Sequence, residues 1–212
     1  MPERAARQMR NKRRIISTVL IITGISLLAG AGFLFFGNMI ENNNFQDDSE
    51  AVVSRVAEAI SETVETQETG IVPDEETEED MPVQKTIVID GEIYDGILTI
   101  PEIDLEMAVY DTWNEDLLRK SVCRYYGSAE TSDLVIAGHN YRSGFGKLKE
   151  LEPGDVIYFT DAEGVVYSYV VDVTEVLPGT AISEMIENDW DLSLYTCTYG
   201  GQSRFTVRCR LI

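Results

Sequence analysis

From Ile15 to Phe36 the chain carries no charged side chain, and this run of 22 residues constrains how everything around it can fold. As a helix rising about 1.5 Å per residue it spans roughly 33 Å, enough to cross the hydrocarbon core of a bilayer. The run carries no polar face, which argues against a buried core helix of this small domain. Ser17, Thr18, Thr23 and Ser26 interrupt it, but small hydroxyls of this kind can bond back to the helix's own carbonyls. Six of the first 14 residues are basic (Arg4, Arg7, Arg10, Lys12, Arg13, Arg14) against the one acid Glu3. That asymmetry predicts a cytoplasmic N-terminus and an extracellular remainder. A cleaved signal peptide is the competing reading, with Ala29-Gly30-Ala31 as a faint cleavage site. The apolar run continues through Phe33-Leu34-Phe35-Phe36, longer than the ~7–15 residues of a secretory core. The expectation is a basic segment at 1–14 and an uncleaved single-pass anchor at 15–37, held by membrane lipid.

Charge is unevenly spread behind that anchor. Residues 41–90 hold 15 acids and two bases, and residues 91–212 hold 21 acids and nine bases. With no basic stripe beyond the N-terminal block, nucleic acid is not expected as a partner. Asn38 to Gln46 reads as a polar exit loop. Val53, Val56, Ala57, Ile60 and Val64 then recur at helical spacing, which predicts a short amphipathic helix over Ser49–Val64. Glu65–Pro82 is too acidic and too poor in large apolar residues to collapse, so 38–90 as a whole reads as an acidic stalk.

The remainder, 91–212, reads as a succession of short strands rich in Val, Ile, Tyr and Phe and punctuated by Gly, Pro and Asp. They fall at Gly96–Ile100, Leu105–Tyr110, Leu134–Ala137, Asp155–Thr160, Val165–Leu177, Asp191–Cys197 and Arg204–Ile212. Short helices are predicted at Asn114–Val122 and Ala181–Glu187. The fold class is mostly β, a closed and largely antiparallel barrel of about eight strands with few helices.

Chemistry-bearing residues are sparse. Three cysteines leave at least one thiol unpaired within the chain, and one histidine with scattered thiols does not make a common zinc site. Neither a metal nor another cofactor is expected. Cys123 and Cys209 have no polar motif around them and read as core thiols. Cys197 ends its strand and runs at once into Thr198-Tyr199-Gly200-Gly201-Gln202-Ser203, a turn that exposes the sulfur in a mouth. His139 leaves its strand into the polar loop Asn140-Tyr141-Arg142-Ser143-Gly144. Along the last strand Arg204, Thr206, Arg208 and Arg210 share one face, ordinarily a solvated one, and Arg204 lies nearest the turn after Cys197. A thiol, an imidazole and a guanidinium at strand ends can serve as nucleophile, proton carrier and oxyanion donor. Spacing alone leaves the catalytic and the structural readings open.

Several stretches occur in the order found in sortases: Ile136-Ala137-Gly138-His139-Asn140, Phe145-Gly146-Lys147-Leu148, Pro153-Gly154-Asp155-Val156, Leu194-Tyr195-Thr196-Cys197 and Arg204-Phe205-Thr206-Val207-Arg208. From about residue 92 to 212 the chain resembles the sortase family. It departs from the pattern at Ser193, where threonine is usual, and at Asn140, where many members carry arginine or a longer loop. No hydrophobic span follows Ile212, which argues against the pilus-building members, and the connection before Asp191 lacks the long helical insert of class B members; the resemblance is B-, D- or E-like without a C-terminal anchor and leaves the subclass open.

The resemblance implies a transpeptidase that cleaves a Leu-Pro-x-Thr-Gly-like sorting signal on secreted proteins. The acyl group would pass through a thioester to an amine of a peptidoglycan precursor or a pilin. Cys197 would be the nucleophile, His139 the acid and base, and Arg204 the oxyanion donor. Thr196 would orient the cysteine loop and Tyr199 would wall the substrate groove. Two alternatives stand beside it. One is an exported cysteine peptidase or L,D-transpeptidase, although the latter usually has a second histidine motif near its cysteine. The other is a membrane-tethered β-domain that binds envelope ligands without catalysis.

Overall fold

The computed structural model describes residues 2–68 and 85–212. The segment between them contains most of the acidic stretch read as a stalk, which therefore lies outside the described residues. The chain forms two compact units, Met1–Glu41 and Asn42–Ile212.

Helix α1 covers Pro2–Glu68, with no glycine or proline between Asn38 and Glu68 to stop it. Its portion in the first unit includes Ile16–Gly37, with a mean hydropathy of 2.3 and none of the window buried. Leu28 and Phe33 are among many large apolar side chains exposed there. A surface that apolar needs a non-aqueous cover, and by length and composition the segment is a candidate membrane anchor.

In the second unit α1 includes Ser49–Val64, where the apolar spacing predicts a helix, and also Asn42–Gln46, which corrects the expectation of an exit loop there. The backbone stays helical through Asn42–Gln46, and Phe45, Val53, Val56 and Ile60 are buried against the β-domain. Their spacing keeps them on one stripe, which Ser49 continues between Phe45 and Val53. Val64 packs at the far end over Gly164.

The β-domain begins with strands β1 (Ile87–Ile89), β2 (Glu92–Ile100) and β3 (Leu105–Tyr110). Helix α2 (Glu115–Leu118) and β4 (Val122–Tyr126) follow. Next come β5 (Leu134–Gly138), β6 (Val156–Asp161), β7 (Val166–Pro178), helix α3 (Ile182–Ile186), β8 (Leu192–Cys197) and β9 (Ser203–Leu211). In space the order is β1-β2-β3-β4-β5-β8-β9-β7-β6, and β6 pairs back onto β2. Eight strands therefore close a barrel, with β1 as a short flap on β2. Among the described strands only the β3–β4 and β5–β8 pairs are parallel.

Alternation along each strand divides the buried side chains into two layers. In β3, Met107 and Val109 point into the barrel with Leu98, Ile136, Phe159 and Leu194. Ala108 and Tyr110 point outward, where α1 and α2 cover them together with Cys123 and Ala137. Closure turns on a bulge in β2 between Tyr94 and Gly96. The N-terminal half of β2 pairs with β1 and the half from Gly96 onward with β6. Gly96 sits at φ 154°, and a Cβ there would lie 2.0 Å from the Thr160 carbonyl oxygen, so only glycine lets β6 approach.

The predicted helix over Asn114–Val122 is only one turn long. Asn114 caps it by accepting from Asp116 N at 2.8 Å, and the chain has already become β4 at Val122. Ser121 Oγ donates to the buried Ala108 carbonyl at 2.6 Å, tying that switch to β3.

The bulge residue Asp95 is fully buried beside Arg124, and burial, only partly offset by the guanidinium, pushes its carboxyl up to about 6. The ordinary value is near 4, so between about pH 4 and 6 the folded state binds this proton more tightly than the unfolded chain. The resulting stability is fully present below about pH 4 and is lost as the pH rises through 6, a swing of about 3 kcal/mol. Urea unfolding of wild type and Asp95→Asn at pH 4.5 and 7.5 checks this. The wild type's relative stability falls with rising pH, and a constant difference contradicts the assignment.

Candidate active site

The parallel pair β5–β8 sets the geometry. Gly138 is in register with Thr196, so His139 and Cys197 each stand one residue beyond a matched pair, at the same edge of neighbouring strands. Across the antiparallel pair β8–β9, Cys197 lies directly opposite Arg204. Residues opposite one another in a sheet project to the same face. Tyr195 projects outward two residues earlier, so Cys197 and Arg204 lie on the outer side of the barrel wall at its rim.

His139 is held between two groups. Its Nε2 lies 3.6 Å from Glu115 Oε1 of α2, and its ring centroid is 5.2 Å from that of Tyr141. Cys197 is half-buried and opens on a cleft of about 140 Å³ whose lining includes Asn140, Phe145, Thr196, Tyr199 and Phe205. Arg204 Nη1 donates to the carbonyls of Gly201 at 3.0 Å and Ser203 at 3.2 Å. This leaves Nε and Nη2 of the planar fork to meet another oxygen. The turn it grips needs left-handed backbone at Gly200 (φ 90°) and Gly201 (φ 72°), which explains the glycine pair after Tyr199.

Thr196 is buried, and its Oγ1 has no hydrogen-bond partner among the described residues. Tyr199 is 91% exposed at the lip of the cleft. The other two thiols differ in kind. Cys123 and Cys209 are fully buried, and burial pushes each thiol up to about 12, far from the reactive range.

The expected solvated face of β9 is corrected. Arg208 is 2% exposed because α3 covers it. Its Nε donates to Glu175 at 2.7 Å, Nη1 to Ser193 Oγ at 2.8 Å and Nη2 to the Glu184 carbonyl at 2.7 Å. Such a satisfied buried arginine fixes α3 against the outer wall beside the site. Ser193, the departure from the usual threonine, therefore still supplies a hydroxyl acceptor. Sequence reasoning also missed Glu115 beside His139 and the edge-on aromatic row Trp113–Tyr125–Tyr195. These residues come from separate elements, and only the strand order brings them together. A larger groove of about 750 Å³ lies between α1 and the Pro101–Glu106 segment; it is lined mainly by polar side chains and contains neither imidazole nor thiol.

A family model of the sortase domain matches residues 98–212. The chain belongs to the sortase family, whose members are cysteine transpeptidases of the cell envelope. Solved structures with the same fold include sortase C of Streptococcus pneumoniae, at 22% identity over 76% of this chain and 96% of that one, with a TM-score of 0.55. The sortase D5 transpeptidase of Clostridium perfringens is 17% identical over 78% and 99% of the two chains, with a TM-score of 0.56. Clostridium perfringens sortase C, solved with the C-terminal cell wall sorting motif, is 22% identical over 76% and 90%, with a TM-score of 0.51. Comparison with curated proteins gives no match.

Proposed function

We propose that this sortase cleaves a Leu-Pro-x-Thr-Gly-like signal through Cys197, with His139 as acid and base and Arg204 as oxyanion donor. The observation that supports the reading is the double register, Gly138 with Thr196 and Cys197 with Arg204, which puts the three residues at neighbouring strand ends. The Cys197 thiolate attacks the threonine carbonyl of the signal, and the oxygen takes the negative charge beside the Arg204 guanidinium. As the tetrahedral species collapses, the C–N bond breaks and protonated His139 gives its proton to the leaving glycine amine. An acceptor amine then attacks the thioester, His139 takes a proton from it, and the thiolate leaves. Thr196, with its unpartnered buried hydroxyl, orients the cysteine loop, and exposed Tyr199 walls the groove in which the signal lies extended.

In this reading the apolar helix anchors the enzyme with its N-terminus in the cytoplasm, and the barrel acts outside on secreted proteins. A peptidoglycan precursor or pilin amine accepts the acyl group. Full-length protein in detergent, given a library of sorting peptides and a glycine-type amine, forms peptide–amine product in excess of hydrolysed peptide. Hydrolysis that added amine does not divert assigns a peptidase instead.

A further inference from the structure

The start of the second unit touches the loop that carries His139. Asn42 Oδ1 accepts from Ser143 N at 3.0 Å, and Ser143 Oγ is 3.1 Å from the same oxygen and 3.2 Å from the Asn42 carbonyl. One turn on, Phe45 is 3% exposed and packs within the barrel's inner core, whereas Val53, Val56 and Ile60 of the same helix belong to the outer layer. Its ring lies 4.6 Å from that of Tyr141, which in turn lies 5.2 Å from the His139 imidazole. Gly144 leaves space for it, since a Cβ there would lie 2.8 Å from the Phe45 ring. The loop is thus clamped by a polar contact at Ser143 and a tilted ring contact at Tyr141, both from α1.

Docking the helix on the barrel does not require this, because the outer stripe already buries its face. We infer that Asn42 and Phe45 are positioning residues for His139, acting through Ser143 and Tyr141, so that the helix next to the membrane segment sets the geometry of the proton carrier. The inference rests on the reading that His139 moves the protons. A small misplacement of such a group slows the chemical step with little change in substrate binding.

The chain has a single histidine, so its ring Hε1 resonance is unambiguous in the full-length protein in detergent micelles. Phe45→Ala is expected to lower kcat about 10- to 100-fold with KM little changed, and to shift and broaden the His139 signal. Asn42→Ala, a milder change, moves both readouts in the same direction and carries the test if Phe45→Ala does not fold. Val56→Ala is the control from the outer stripe; it lowers the melting temperature but leaves kcat and the His139 resonance unchanged. An unmoved resonance and unchanged kcat in both loop-facing variants overturn the inference, as does an equal kcat loss in Val56→Ala. The resonance is read without turnover. A wild type that transfers no peptide but whose His139 signal moves in Phe45→Ala would refute the proposed chemistry and keep the coupling.

Discussion

Cys197→Ala is expected to lower the rate of peptide transfer by about 10⁴-fold or more, the scale seen when a covalent nucleophile is removed. Its melting curve should barely move. The side chain is half-exposed at a strand end, and alanine keeps the Cβ and every backbone bond of the β8–β9 ladder. Cys209→Ala provides the contrast. That thiol is packed in the barrel interior, so its loss leaves a small cavity and costs on the order of 1 kcal/mol of stability while transfer persists. Steady-state transfer and thermal melts on the two variants check the separation. Comparable activity loss in both would remove Cys197 from its assigned role.

Truncation gives the second large effect. A chain starting at residue 85 loses Phe45, Val53, Val56 and Ile60 from their buried positions. Each such side chain contributes about 1.5–3 kcal/mol when fully buried, before the cost of ordering the helix. The gross loss is thus comparable to the ~5–15 kcal/mol that holds a typical domain together. The Arg55–Asp90 ion pair at 2.6 Å adds little, since its side chains are 47% and 80% exposed. Circular dichroism melts should show a cooperative transition for residues 42–212 and a much lower or absent one for 85–212. Equal midpoints would mean that the helix rests on the barrel without supporting it.

The candidate site was more legible in the sequence than the elements around it. His139 and Cys197 stand out locally, each an apolar strand giving way to a polar or glycine-rich turn. The alternation that sets Arg204 apart from Phe205 is equally local. The parallel pairing of β5 with β8 is not local, since β6, β7 and α3 lie between them in the sequence, and periodicity carries no information about which strands are neighbours. The burial of Arg208 depends on α3 folding over it, so a face that alternates as solvated became a covered one. Phe45 sits among Glu41-Asn42-Asn43-Asn44 and Gln46-Asp47, with no apolar neighbour at helical spacing before Ser49. It reads as a loop residue until the barrel supplies the cavity that it fills. Val122–Tyr126 was hidden by the helical start at Asn114, and its β-branched and aromatic residues are the signal that favours a strand.

Intact-protein mass spectrometry on the full-length chain, mixed with a sorting peptide and no amine acceptor, tests the central chemistry most directly. The account predicts an added mass equal to the peptide up to its threonine, mapped to Cys197, absent from Cys197→Ala and discharged when a glycine-type amine is added. An adduct on Cys123 or Cys209, or product formed by Cys197→Ala, would contradict it.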